Sequence, residues 1–400
     1  MILRPRRLPE AIWAVAGALA LVLSTLLPWT DALEAVGRGT DVYLFLIGMM
    51  LLAELARQEG LFDWLAALAT RQARGSPRRL FGLVYLVGIL VTVFLSNDAT
   101  AVVLTPAVYA AARAAGAEPL PYLFICAFIA NAASFVLPIS NPANLVIFGR
   151  HMPPLGQWLA QFALPSIFAV ATTFLVLRFT QRWALRQPIA REVALPRLPP
   201  GGALAAGGIV VTALALLAAS ALDRPLGLPT FVAGSVSVAA VLLYQRAAPW
   251  DLLRGVSWSV LPLVAGLFVL VAGVERTGVL EALAGSLAGA AERSAADAAW
   301  SAGLLSALAS NLMNNLPVGL VAGSLGRAAD VPLPVTGALL VGVDLGPNLS
   351  VTGSLATILW LVALRREGVH VGAMQFLRLG LIVTPPALVL ALAALLLSTP

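Results

Sequence analysis

Long apolar runs separated by short polar connections recur along the whole chain, at 11–28, 41–56, 119–149, 156–180, 203–222, 226–244, 257–273, 333–364 and 372–398. Most approach or exceed the roughly 20 residues that cross ~30 Å of hydrocarbon, which predicts an all-α polytopic membrane protein with about nine crossings. The first run lacks a small-residue cleavage site and leads into further spans, so it reads as an anchor and not a removed signal. "LFDWLAALATRQA" (61–73) is too short and too mixed to span. Its apolar residues recur at helical spacing, which predicts a helix lying in the interface.

Charge adds orientation to this map. Arg4, Arg6 and Arg7 precede the first run; Arg71, Arg74, Arg78 and Arg79 form a second cluster; Arg178, Arg182, Arg186, Arg191 and Arg197 a third; Arg365 and Arg366 a fourth. The positive-inside rule places all four in the cytoplasm, with the N-terminus inside and the C-terminus outside. The run at 80–95 then leaves the cytoplasm, yet the crossing at 119–149 must also start there. The map closes if 80–113 enters and leaves from one side, as a re-entrant hairpin with Ser96-Asn97-Asp98 at its tip. Irregular backbone at membrane depth survives only inside protein or against a wet cavity. Ser, Asn and Asp are suited to cap a helix starting there. A charged Asp98 near the bilayer centre costs roughly 2.5–3.5 kcal/mol, so it is either a cap facing water or a carboxylate with a use.

The second half repeats the plan. "IGMMLLAELARQEGLFDWLA" (47–66) matches "AGLFVLVAGVERTGVLEALA" (265–284), pairing Gly48 with Gly266 and Gly60 with Gly278 at an offset of 218. The same offset carries Asn97 to Asn315, so 297–328 is expected to be a second hairpin with Asn314-Asn315 at its tip. Residues 1–180 form the first repeat, 181–202 a Pro- and Arg-rich cytoplasmic linker, 203–222 a linking span, and 226–400 the second repeat. The odd span between the halves inverts the second relative to the first, an inverted-topology repeat. After each hairpin comes a span with helix-breaking residues at its middle: "LPISNPAN" (137–144) within 119–149, and "DLGPNLSVTGS" (344–354) within 333–364. Proline and glycine there predict two broken helices. Broken spans and hairpin tips at one depth are how secondary transporters build a substrate site.

The chemistry of that site is uncharged save for two acids. Asn97, Asn131, Ser140, Asn141, Asn144, Asn314, Asn315, Asn348, Thr352 and Ser354 supply amides and hydroxyls, which both donate and accept. Asp98 and Asp344 suit a proton or Na⁺ and are the candidate coupling groups. The four core stretches hold no Arg, Lys, His or Cys, so a free anion would need half-helix N-termini or a co-bound cation. Composition agrees with the class: 60% hydrophobic, 11% charged and mean hydropathy +0.92, where a soluble chain carries about a quarter charged residues. The net charge of +6 is all arginine and reports orientation, so no nucleic-acid partner is expected. The single Cys126 excludes an intrachain disulfide and a multi-thiolate metal site. No phosphate-binding loop occurs, so no nucleotide, cofactor, metal or enzymatic activity is expected. His151 and His370 are expected at the surface, and Glu54 as a solvated carboxylate near the inner end of its span.

"NDATAVVLTP", "MNNLPVGLVAG" and especially "DLGPNLSVTGSLATILWL" resemble the bacterial arsenite/antimonite efflux permeases of the ArsB family, within the ion transporter superfamily, from about residue 10 to 398. The resemblance implies export of arsenite or antimonite as the neutral trihydroxide, in exchange for protons, across the bacterial inner membrane. Membrane lipid, a small inorganic substrate and protons are then its partners, and some relatives also pair with an arsenite-stimulated ATPase subunit. Asn97, Asp98, Asn314, Asn315, Asp344, Thr352 and Ser354 match the family pattern. The usual permeases have an acid where this chain has Asn131 and a lysine where it has Asn348. Those positions lie 217 apart, close to the repeat offset, as though an opposite-charge pair had become an amide pair. "LPISNPANLVIFGR" is more like the related divalent-anion carriers, which makes a cation-coupled anion or dicarboxylate transporter the alternative. An ion channel is a further alternative that the hairpins argue against.

Overall fold

The computed structural model describes residues 10–149, 152–191 and 193–398. Arg4, Arg6, Arg7 and His151 lie outside the described residues; His370 is exposed. No strand occurs among the described residues. In chain order the first half contains α1 (Glu10–Leu23), α2 (Trp29–Arg38), α3 (Thr40–Gln58), α4 (Leu61–Ala73), α5 (Pro77–Phe94) and α6 (Asn97–Ala99). A π-helical turn (Thr100–Leu104) leads into α7 (Thr105–Ala114), then α8 (Leu120–Ala132), α9 (Pro142–Phe148) and α10 (Leu155–Thr180). After α11 (Pro200–Ala221), the second half contains α12 (Gly227–Gln245), α13 (Trp250–Gly255), α14 (Val260–Glu275), α15 (Val279–Arg293), α16 (Ala295–Met313), α17 (Asn315–Ala329), α18 (Leu333–Leu345), α19 (Leu355–Arg366) and α20 (Ala373–Ser398).

Five of these helices, α5, α10, α11, α12 and α20, are individually long and apolar enough to cross a membrane; the bent pairs α2–α3 (47°) and α14–α15 (76°) raise the number to seven. The seven include α5, an arm of the first hairpin, so six of the nine expected crossings are matched, and the shortfall has a local cause. The runs at 119–149 and 333–364 are each split into two shorter helices, and α1 has only 14 residues. α8 and α18 are apolar on every side and buried on every side, as helices at the centre of a bundle must be. α4 buries one face, with Leu61, Phe62, Ala66 and Ala69, and packs it on α5 and α7.

Contacts fix the direction of each hairpin arm. Tyr122 Oη donates to Pro77 O (3.3 Å), and Gly88 lies against Ile125 and Ile129, so α5 and α8 run the same way. Ala190 N donates to Ala115 O (2.9 Å) just past α7, and Gly75 just before α5 abuts Ile189 and Arg191. Both ends of 77–114 therefore meet one short piece of the linker, and the segment doubles back between them. In the second half, Ser306 Oγ donates to Leu339 O (3.2 Å) and Asn311 Nδ2 to Gly346 O (2.9 Å), so α16 and α18 run together. α17 runs against them, with Gly326 beside Thr336 and Leu339, and Gly319 beside Val343.

The helix bounds recur between halves. α5 and α16 start at Pro77 and Ala295, and α10 and α20 span Leu155–Thr180 and Ala373–Ser398, all at an offset of 218. For α8 and α9 against α18 and α19 the starts differ by 213, because the returning arm of the second hairpin (315–329 against 97–114) and the connection after it (330–332 against 115–119) are both shorter. This corrects one pairing expected from sequence. Asn131 corresponds to Asp344 and not to Asn348; Asn141 corresponds to Ser354, and Asn144 to Thr357.

Helices cross where glycines let backbones meet. A Cβ on Gly48 would fall 2.3 Å from Thr230 O, and one on Gly234 2.6 Å from Gly48 O, which locks α3 to α12. Gly266 meets Ala14 in the same manner and locks α14 to α1. The pairing is thus exchanged between halves. It is exchanged again at the centre, where α17 packs on α9 and the π-turn of the first hairpin packs on α19.

Candidate functional site

Each hairpin tip is plugged into the break of the span that follows it. Asn97 N donates to Ser140 O (3.2 Å), and Asn315 N donates to Gly353 O (2.8 Å), the corresponding bond in each half. At the first tip the cap is Ser96, whose side chain accepts from Ala99 N (3.1 Å). Asn97 Oδ1 accepts from Asp98 N (2.9 Å), so Asp98 does not serve as the cap. At the second tip Asn314 accepts from Leu316 N (3.4 Å) at φ 77°, ψ 151°. That is a backbone region almost confined to glycine, and such strain persists only where surrounding structure enforces it.

In the first break, 133–141, one side chain satisfies three of the freed carbonyls. Asn144 Nδ2 donates to Ser134 O (2.9 Å), Leu137 O (3.2 Å) and Pro138 O (3.3 Å). Ser140 Oγ donates to Val93 O (3.1 Å) and accepts from Leu137 N (3.2 Å). Asn141 Oδ1 accepts from Ala143 N (3.0 Å) and so caps α9. In the second break Ser354 accepts from Thr357 N (3.1 Å) and caps α19. Thr352 Oγ1 donates to Asn311 O (2.9 Å). The N-termini of α9 and α19 thus face the middle of the bundle, where the helix dipoles present partial positive charge, although in α9 the N–H groups of Ala143 and Asn144 are already bonded to Asn141.

The two halves are joined by amides. Asn131 Nδ2 donates to Asn348 Oδ1 (2.9 Å), and Asn348 Nδ2 donates to Phe128 O (2.9 Å). The two amides that stand where the resemblance implies a charge pair are therefore bonded to each other. Asn141 Nδ2 donates to Asp344 Oδ1 (2.8 Å) across the same crossing. Asp344 is fully buried and has no basic side chain in contact among the described residues. Its Oδ2, together with Asn131 Oδ1 and Asn144 Oδ1, is buried without a hydrogen-bond partner. Asp98 lies half-buried at the first tip, beside the start of α19, and its carboxylate has no hydrogen bond among the described residues.

All ten candidate amide and hydroxyl residues gather at the tips and breaks, with Asp98 and Asp344 among them. Most direct hydrogen bonds to the protein itself; the Asn315 side chain has none among the described residues. Sequence reasoning missed Ser134, Asn311, Ser350 and Thr357, which hold the breaks in shape. Asn311 stands one helical turn before the second tip, in "SNLMNN" (310–315). Glu54 corrects another expectation: it is only 6% exposed, accepts from Arg57 and Gln58, and faces Gly255. Glu275, by contrast, pairs with Arg38 at 3.1 Å and accepts from Ser324 (2.8 Å) at an exposed end.

A crossing of two broken helices, plugged by two hairpins and lined by neutral polar groups in an apolar bundle, defines a membrane transporter. The citrate transporter family model, CitMHS, matches residues 1–342, and the chain belongs to that family. It is 31% identical over 367 residues to the arsenical pump membrane proteins of Yersinia enterocolitica and Escherichia coli K12, matching 87% of this chain and 84% of each relative. An uncharacterized transporter of Mycobacterium tuberculosis is 25% identical, with 96% of this chain and 92% of the relative matched. Among solved structures, the YdaH transporter of Alcanivorax borkumensis, described as having an unusual topology, aligns with a TM-score of 0.62 at 16% identity, covering 96% of this chain and 97% of that one. That likeness concerns the fold alone.

Proposed function

We propose that this chain is a secondary active transporter that exports arsenite or antimonite as the neutral trihydroxide in exchange for protons. The observation that carries the reading is the composition of the site: amides and hydroxyls at both tips and both breaks, no basic side chain in any of the four stretches, and two carboxylates, Asp98 and Asp344, without counter-charge. A neutral trihydroxide both donates and accepts, and so do Asn and Ser side chains. A buried carboxylate is tolerable when it gains and loses a proton. The kinship with arsenical pump membrane proteins points the same way. In this reading the halves are inverted in the membrane, each hairpin is re-entrant, and the arginine-rich end, with Arg71–Arg79 and Arg186–Arg191, faces the cytoplasm of the bacterial inner membrane. Transport needs no nucleotide; pairing with an ATPase subunit would be an addition to it.

The family model favours a second reading, a cation-coupled citrate or other anion carrier, in which α9 and α19 N-termini would hold carboxylates. Expression in an arsenite-sensitive host lacking its own pump separates the two. Raised arsenite tolerance with lowered cell arsenic is expected. Unchanged tolerance together with citrate or dicarboxylate uptake would replace the first reading with the second.

A further inference from the structure

The two breaks are alike in backbone but not in how firmly they are held. In both, a hydroxyl of the break donates to a carbonyl one turn before the tip: Ser140 to Val93 O, and Thr352 to Asn311 O. Val93 and Asn311 are corresponding positions, 218 apart. Val93 offers only that carbonyl. Asn311 adds a side chain that faces the break. Its Nδ2 donates to Gly346 O (2.9 Å) and to Ala307 O (2.8 Å), and its Oδ1 accepts from Ser350 Oγ (2.8 Å). Ser350 in turn shares a hydroxyl contact with Thr352 (3.1 Å). Gly353 fits beneath it because a Cβ there would fall 2.8 Å from Asn311 Oδ1. The Gly353 carbonyl then receives Asn315 N.

We infer that Asn311 is a positioning residue of the second half-site, holding the 350–353 loop so that its hydroxyls and the Asn315 tip keep one geometry. The inference rests on the transporter reading but not on the identity of the solute. Gly346 opens the single 3₁₀ turn Gly346–Leu349 that follows α18, where the backbone leaves the α-helical ladder, and its carbonyl takes the Asn311 amide as a donor in an apolar surrounding. An amide serves because it donates to one side of the break and accepts from the other. The loop is also the less buried of the two breaks. Asn311, Ser350, Val351 and Thr352 are half-buried, whereas nearly all of 131–148 is buried.

The test uses two readouts on the full chain. Val351→Cys places a thiol on the loop, and the native Cys126 is buried and serves as the unreactive background. A membrane-impermeant maleimide labels this thiol in solubilised protein with no substrate present. Adding Asn311→Ala should raise the labelling rate several-fold, Asn311→Gln should restore part of the protection, and Leu312→Ala, on the exposed side of the same helix, should change nothing. In everted vesicles with arsenite, Asn311→Ala should raise KM about tenfold with kcat changed far less, which converts to ~1.4 kcal/mol. Unchanged labelling would overturn the inference, whether or not thermal stability falls. If Asn311→Ala fails to accumulate, Ser350→Ala removes one of the same bonds from the loop side and must raise labelling in its place. Absence of arsenite transport in the unmodified protein would defeat the substrate reading, and the labelling arm would still decide the role of Asn311.

Discussion

Asp344 shows how a single residue is held at the limit of what the bundle tolerates. Its carboxyl sits fully buried, with Asn141 Nδ2 on one oxygen and nothing on the other. Asp344→Asn is nearly isosteric, so the protein should accumulate and keep its melting temperature within a few degrees. Proton-driven export should nevertheless be lost, while arsenite exchange persists; uphill, proton-dependent export surviving in the Asp98→Asn, Asp344→Asn double variant would remove both residues from coupling. Asn141→Ala acts differently, because it strips the cap from α9 and the Asn141 amide from Asp344. A lost cap costs about 1 kcal/mol and an abandoned buried acceptor roughly 1–3 kcal/mol, so thermal unfolding should fall clearly below that of Asp344→Asn. Equal melting temperatures for the two variants would mean that the Asn141 bonds contribute nothing.

At the scale of elements, close approach decides which helices pair. A side chain at Gly48 would enter the backbone of α12 at Thr230, and neither backbone has room to give. Gly48→Val should therefore prevent stable accumulation, read as the fraction of monodisperse protein after solubilisation. At Gly353 a Cβ would fall 2.5 Å from Pro347 Cα and 2.6 Å from its carbonyl. Gly353→Ala should spare the fold, since the strain is confined to one loop, yet lower transport about tenfold, or ~1.4 kcal/mol in the barrier. Wild-type transport in this variant would show that the second break is not part of the path.

For the molecule as a whole, coupling has a sign. Exporting a neutral solute gains from the membrane potential only if a charge moves inward, worth ~2.3 kcal/mol per 100 mV. If protons enter as arsenite leaves, an alkaline exterior empties the carboxylates on the side from which they load. The initial export rate should fall as external pH rises and collapse with an uncoupler. Export indifferent to both would point to another energy source. Orientation is checked with terminal reporters: the arginine distribution predicts an inside N-terminus and an outside C-terminus, so a C-terminal reporter that works only in the periplasm is the expected result.

Hydrophobic patterning by itself determined that the chain is helical and polytopic, because span length and turn-breaking residues are local properties. It also located the tips and the breaks, since Asn, Pro and Gly inside apolar runs are legible wherever they fall. What it left undecided depended on distance in space. That Ser96 and not Asp98 caps the first tip, that Glu54 is buried by Gly255, and that Asn131 pairs with Asn348 while corresponding to Asp344 all required the packed bundle. The pairing was misread because a constant offset assumes equal lengths, and the second hairpin's returning arm (315–329 against 97–114) and the connection after it (330–332 against 115–119) are together five residues shorter, which shifts the starts of α18 and α19. Asn311 escaped notice for a similar reason: one asparagine in a polar cluster has no visible role until the carbonyl it serves, 35 residues away, is brought beside it.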